Sequence, residues 1–223
     1  MKKHNLIVVA HPDDETIFFG GLIQTYRRRP WKIICVTDGN ADGKGPQRHL
    51  EFVAACKKLG SQVAEMWNFP DKYDARVDVE KLADRLAQEN AGEVFTHGIL
   101  GEYGHPHHQD VSLAAHRAFH KTCKVWSVAY NCFAEKVVKI PRKAYQLKCE
   151  ILSQVYFQET NRFARWLPSY NHEGYVQLAL PEVEALYKFL SRGQKPEPGL
   201  LKTYRWFAPY LEEFRSQVTA RPF

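Results

Sequence analysis

The chain of 223 residues has no hydrophobic run long enough to cross a bilayer. Its first apolar stretch, Leu6 to Ala10, falls far short of the roughly 20 residues a spanning helix needs. It follows two lysines, as a secretion signal would, but it is too short for such a signal's apolar region and runs straight into charged residues. The expectation is a soluble, cytoplasmic protein with no integral membrane segment. No C-x-x-C pair is present: the five cysteines, Cys35, Cys56, Cys123, Cys132 and Cys149, are dispersed in apolar patterns and read as reduced core fillers. Internal repeats, low-complexity tracts and a convincing domain linker are all missing. A composition that is 44% hydrophobic, 13% aromatic and 25% charged excludes collagen-like and largely disordered chains. At this length a folded chain hides roughly 70–75% of its unfolded surface, so a sizeable core is expected.

Charge of one sign is not concentrated either. Thirty-one Lys and Arg against 25 Asp and Glu leave +6, which attracts anions in general. The one short run, Arg27-Arg28-Arg29, ends a predicted helix, where cations suit the dipole. No dedicated nucleic-acid motif accompanies it, so nucleic acid is not an expected partner.

What is present is an alternation of short apolar runs with helical patterns. Strands are predicted at Leu6 to Ala10, Lys32 to Thr37, Val63 to Phe69, Glu93 to Ile99 and Val125 to Tyr130. Between them lie helices: one carrying Ile17, Phe18, Leu22 and Ile23, one ending at Gly60, one over Val79 to Leu86, and one from Pro106 to about Lys121. Strands separated by helices form a parallel sheet, so the fold class is α/β: a Rossmann-like three-layer sandwich with a mostly parallel sheet. Beyond residue 130 a strand at Ala134 to Ile140, a helix at Arg142 to Phe157 and a helix after Pro181 are expected. We read one domain over 1–223, with a core to about residue 157 and an aromatic-rich elaboration over 158–223. Its Trp166, Tyr170, Tyr175, Tyr204, Trp206, Phe207 and Tyr210 are read as packing rather than as sugar platforms.

Ligands of such sheets sit beyond the carboxyl ends of the strands, and two of those ends carry chemistry. The first strand runs into Ala10-His11-Pro12-Asp13-Asp14-Glu15, and the fourth into Gly101-Glu102-Tyr103-Gly104-His105-Pro106-His107-His108. In each, a histidine precedes a proline and a metal-capable side chain follows at i+3. Helix capping explains part of either cluster. Together they offer two imidazoles and a carboxylate, a set that suits zinc in an open catalytic site and also iron(II). Such a metal lowers the pKa of water to about 7 and polarises a carbonyl.

These two blocks resemble the PIG-L or LmbE-like family of zinc-dependent N-acetylglucosaminyl deacetylases, whose signature is AHPDDE followed by HPDH. The likeness extends more weakly over about residues 5–155, through Thr37-Asp38-Gly39, Arg48 with Glu51, and Phe69-Pro70-Asp71. It implies that His11, Asp14 and His108 hold Zn2+, with Fe2+ a second option. It further implies that Asp13 is the general base, that His105 is the catalytic acid or oxyanion partner, that Tyr103 helps hold the oxyanion and that Arg48 binds substrate. One position departs from the signature. His107 stands where the usual aspartate would tune the catalytic histidine, so the pKa of His105 is expected below that of relatives keeping the carboxylate. His107, His116, His120 and His172 are read as surface or packing residues.

The expected activity is hydrolysis of the N-acetyl group of an N-acetylglucosamine-type amino sugar or conjugate, giving acetate and a free amine. The partner is a small amino-sugar substrate, with phosphorylated, nucleotide-linked and lipid-linked forms and a homo-oligomer left open. Two rivals remain: an amidase on a different acylated amine, such as a thiol conjugate or antibiotic intermediate, and a non-catalytic metal or sugar-binding module. The second carboxylate, Asp13, separates the enzyme from the binding module, because metal binding alone does not need it.

Overall fold

A computed structural model describes residues 3–163, 171–211 and 213. Its centre is a seven-stranded sheet in the order β3-β2-β1-β4-β5-β7-β6. The strands are β1 (His4–Val9), β2 (Trp31–Thr37), β3 (Val63–Phe69), β4 (Ala91–Thr96), β5 (Lys124–Val128), β6 (Lys136–Lys139) and β7 (His172–Val176). The first five pair in parallel, and β7 pairs antiparallel with both β5 and β6. The mostly parallel α/β sandwich expected from the sequence is therefore present.

Side-chain alternation explains the layers, because successive residues of a strand face opposite sides of a sheet. On β1, Leu6 and Val8 join one buried cluster, whereas Ile7 and Val9 join the other. The first cluster is completed by α3 (Val79–Leu86), α4 (Pro106–Phe119) and α7 (Leu180–Arg192), the second by α1 (Asp14–Thr25) and α2 (Gly45–Leu59). Period-3.6 faces thus cover both sides of a period-2 sheet. Gly60 adopts the left-handed conformation (φ 79°) at the C-cap of α2, where the sequence placed it.

Three elements differ from expectation. Strand β4 stops at Thr96 rather than Ile99, because Gly101 N–H closes a turn onto Gly98 O and the chain bends toward α4. Gly101 has φ 73°, and a Cβ there would lie 2.4 Å from His105 O, so this turn requires glycine. The expected helix over Arg142 to Phe157 is broken: α5 (Arg142–Glu150) passes into a π-helix, Ile151–Val155, before α6 (Phe157–Phe163). Strand β7 was not foreseen, and it brings residues beyond 157 into the sheet, between β5 and the edge strand β6, rather than over it. Of the C-terminal aromatics, Tyr175, Tyr204 and Phe207 are buried and Trp206 and Tyr210 exposed; Trp166 and Tyr170 lie outside the described residues. Among the described residues no helix is long and apolar enough to cross a membrane.

His116, on the inner face of α4, is a core residue as read from the sequence. Its Nδ1 lies 2.7 Å from Ser112 O, and burial pushes its pKa down to about 4. Between that value and the ordinary 6.5 the unfolded chain binds the extra proton and the folded chain does not, so stability falls as pH drops through this window. The full loss is about 3 kcal/mol. Urea titrations at pH 7 and pH 4.5 check this: His116→Leu is expected to flatten the acid slope, and an unchanged slope contradicts it.

Candidate metal centre

The sheet topology explains why two clusters more than 90 residues apart in sequence meet. From β1 the chain winds outward to β2 and β3, then returns to place β4 on the other side of β1. The crevice beyond the carboxyl ends of β1 and β4 is the topological switch point, where ligands bind in open α/β sheets. Ala10 N–H donates to His97 Nε2 at 3.0 Å and Thr96 Oγ1 to Val8 O at 3.1 Å, tying the two strand ends together.

At the centre is the carboxylate of Asp14. Its Oδ2 accepts His11 N–H at 2.8 Å and lies 3.4 Å from each of His11 Nδ1, His97 Nε2 and His108 Nε2. Burial would raise this carboxyl, but the His108 and His97 rings hold it well below the usual carboxylate range. Among the described residues the candidate donor atoms form three overlapping triplets, each within 4.8 Å: His11, His105 and His108; His11, Asp71 and His107; Asp14, His97 and His108. The expected ligands His11, Asp14 and His108 straddle the first and third.

Hydrogen bonds sort these rings by tautomer. Glu102 Oε2 lies 2.6 Å from His108 Nδ1 and 3.2 Å from His97 Nδ1, while Glu102 Oε1 accepts Gly98 N–H at 2.7 Å. Burial acts to raise Glu102, yet the two rings hold it down at about 2, so it is an ionised acceptor and both Nδ1 atoms carry hydrogen. His97 Nε2 faces the Ala10 amide at 3.0 Å and Asp14 at 3.4 Å; burial opposes a charge on His97, but Glu102 and Asp14 outweigh it and raise its pKa to about 9. By contrast, His108 Nε2 is buried with no hydrogen-bond partner among the described residues, and burial lowers the His108 pKa to about 4. A lone pair buried beside an ionised carboxylate fits a metal ion, and the carboxylate behind its ring is the orientation such ligands use. On the other side, His107 Nε2–H donates to Ala75 O (2.9 Å), which turns its Nδ1 toward His11 Nε2–H (3.1 Å) and leaves His11 Nδ1 facing Asp14. Burial opposes a charge on His11, but Asp14 and Asp71 outweigh it and raise its pKa to about 9. The donor set of two imidazoles and a carboxylate is one that zinc and iron(II) both accept.

The remaining expected residues line the same crevice. Asp13 is the N-cap residue of α1, yet its side chain makes no capping bond. It is buried 3.7 Å from Arg48 Nη2, and burial followed by the Asp14 charge pushes its carboxyl well above the usual range. Arg48 is buried; it donates to Pro12 O at 2.8 Å and reaches Asp71 at 3.8 Å, and its Nε has no partner among the described residues. His105 does cap α4, its Nδ1 accepting His107 N–H at 3.2 Å, which places the ring hydrogen on Nε2. Burial and the neighbouring imidazoles lower its pKa strongly. The Tyr103 ring is exposed, 5.4 Å from that of His108 and 6.0 Å from that of His105.

Position 107 needs correction. Its ring does not pair with His105: the centroids are 5.3 Å apart, and both ring nitrogens are directed to Ala75, His11 and Asp71. His97, Glu102 and Asp71 were missed as parts of the cluster. The signal for the first two was a histidine and a glutamate bracketing the glycine turn directly ahead of His105. Because Glu102 orients His108, any metal held at His108 Nε2 would be bound about 10–100-fold more weakly in Glu102→Gln, measured with zinc by chelator competition on the apoprotein. Unchanged affinity contradicts that role.

A family model described as PIG-L, GlcNAc-PI de-N-acetylase matches residues 6–119, just over half of the chain. The chain belongs to this PIG-L family, whose LmbE-like members the sequence blocks resemble. The N-acetylglucosaminyl-phosphatidylinositol de-N-acetylase of Bos taurus is 32% identical over 123 residues, which cover 50% of this chain and 49% of that protein. A probable N-acetyl-alpha-D-glucosaminyl L-malate deacetylase 2 of Bacillus subtilis is 30% identical over 142 residues, covering 56% and 64%. The chain thus spans about half the length of the relatives it matches. Among solved structures, the N,N'-diacetylchitobiose deacetylase of Pyrococcus horikoshii superposes with a TM-score of 0.63 at 18% identity, covering 80% of this chain and 84% of that one, a likeness of fold.

Proposed function

We propose that the chain is a metal-dependent N-deacetylase that releases acetate from an N-acetylglucosamine-type amino sugar or its conjugate. The observation that carries this reading is the Asp14 carboxylate set 3.4 Å from His11 Nδ1 and from the partnerless His108 Nε2, with the uncapped Asp13 beside it. His11, Asp14 and His108 would hold Zn2+ or Fe2+, and such an ion polarises an amide carbonyl and acidifies water. Asp13, a carboxylate released from helix capping and set beside Asp14 and Arg48, takes the proton of the attacking water. The C–O bond forms as the carbonyl π electrons move to oxygen, where His105 Nε2–H donates a hydrogen bond to the developing negative charge. Its depressed pKa keeps that ring a neutral donor, so the proton reaching the departing nitrogen comes from Asp13. The C–N bond then breaks to leave acetate and the free amine. The Tyr103 hydroxyl is a second oxyanion donor, and Arg48 binds a sugar oxygen or a phosphate.

The relatives' names support the substrate class: phosphatidylinositol-linked, malate-linked and chitobiose substrates share an N-acetylglucosaminyl unit. On this reading residues 1–223 act as one deacetylase domain. The test is acetate release from a panel of N-acetylglucosaminyl inositol, malate and chitobiose compounds and from the phosphatidylinositol conjugate in vesicles. Turnover of at least one is expected; release only from non-sugar acylated amines would replace this reading with the amidase.

A further inference from the structure

Asp13 is held in a backbone conformation, φ 112° and ψ −33°, that an L-residue rarely adopts. Its carbonyl accepts the amides of Thr16 and Ile17, both at 2.9 Å, so the first turn of α1 fixes one side of this residue. The other side is fixed by a side chain. Asp13 N–H donates to Glu15 Oε2 at 3.1 Å, and Glu15 is fully buried. Glu15 Oε1 accepts from Thr16 Oγ1, its sequence neighbour, and from the Tyr156 hydroxyl at 3.0 Å. Tyr156 is also fully buried, and it lies 141 residues further along the chain, beyond the residues the family model matches.

Tyr156 reaches Glu15 through the irregular turn that precedes it. Its own amide bonds to Ile151 O, a reach of five residues that closes the π-helix Ile151–Val155. One extra residue per turn rotates the following side chain by about 100° relative to an uninterrupted α-helix. Wide turns of this kind occur frequently at functional sites. Here the turn inserts a phenol against a carboxylate that reaches back to the N-cap amide and is outside the metal-capable triplets found among the described residues.

We propose that Glu15 and Tyr156 are positioning residues for Asp13: the Glu15 carboxylate clamps the Asp13 amide in its positive-φ turn, and the Tyr156 hydroxyl fixes that carboxylate. The inference rests on Asp13 being the base of the proposed reaction. It adds that the segment after residue 150 belongs to the catalytic geometry. The two residues act through another group and need not touch substrate.

Tyr156→Phe removes the hydroxyl and keeps the ring. In the full, metal-loaded chain it is expected to lower kcat about 10–100-fold, as misplacement of a reacting group does. KM and zinc affinity should stay within about twofold of wild type. In an Asp13→Asn background the same change is expected to have no further effect on kcat, because groups acting as one unit are not additive. A full multiplicative loss in that background overturns the proposal, as does an unchanged kcat in Tyr156→Phe alone. A readout free of activity separates this idea from the reaction itself: the Asp13 amide resonance. In Tyr156→Phe it should move upfield and exchange at least about tenfold faster. If wild type deacetylates nothing but the amide responds, the clamp stands and the reading of Asp13 as base falls; if wild type is active and the amide is unmoved, the clamp falls. Should Tyr156→Phe not fold, Glu15→Gln, which keeps an uncharged acceptor for the amide, is expected to show the same pattern more weakly.

Discussion

Replacing Asp13 by asparagine is expected to lower kcat for acetate release by about a hundred- to ten-thousandfold while leaving bound metal at wild-type stoichiometry. The amide keeps the size of the side chain and a donor and acceptor near Arg48, but cannot accept the water proton. Asparagine is isosteric with aspartate and removes one of two neighbouring buried carboxylates, so Asp13→Asn should fold. The two neighbouring acids then separate by experiment: Asp13 governs rate, Asp14 governs metal. Measurements of kcat and of metal content on the same preparation check this. Full activity in Asp13→Asn removes the base from the mechanism and revives the binding module.

The second large effect belongs to His108. Losing an orienting partner such as Glu102 costs about 10–100-fold in metal affinity, so losing the ligand itself costs more than about a hundredfold. His108→Ala is therefore expected to be isolated with little metal and with activity near background. The vacated space lies between Glu102 and Asp14, two carboxylates that the ring now separates. Without it His97 alone faces both, so thermal stability should also fall. Metal analysis before and after dialysis against excess zinc distinguishes weakened binding from misfolding. Retention of one tightly bound ion in His108→Ala contradicts the ligand assignment.

Much of this site was legible because its chemistry is written locally. His11, Asp14, His105 and His108 flank prolines at two strand-to-helix junctions, and a parallel sheet places such junctions on one edge. Asp13 was legible as a second acid, but not as an N-cap residue that declines to cap; that depends on a positive φ no pattern announces. His107 was expected at the surface or in packing; it is buried, and the helical turn aims its ring at His11 and Ala75. Asp71 and Tyr156 reach the site across long sequence separations, and Tyr156 does so only because a π turn displaces the helix register. Strand β7 escaped notice because His172-Glu173-Gly174 carries a glycine and two polar residues on a strand buried by its partners. There Glu173 pairs with Lys148 at 2.7 Å and accepts the Tyr175 hydroxyl at 2.9 Å, so polar groups satisfied in the interior resemble surface in the sequence.

The most direct test of the central claim is a metal add-back titration. Protein stripped by chelator is supplied with zinc or iron(II) in fractions of an equivalent, and acetate release from an N-acetylglucosaminyl conjugate is followed at each step. The account predicts no release from the stripped protein, a linear rise that saturates near one equivalent, and no rise for His108→Ala over the same range. Release that persists undiminished after complete removal of metal, or none from protein carrying a full equivalent across the whole substrate panel, would contradict it.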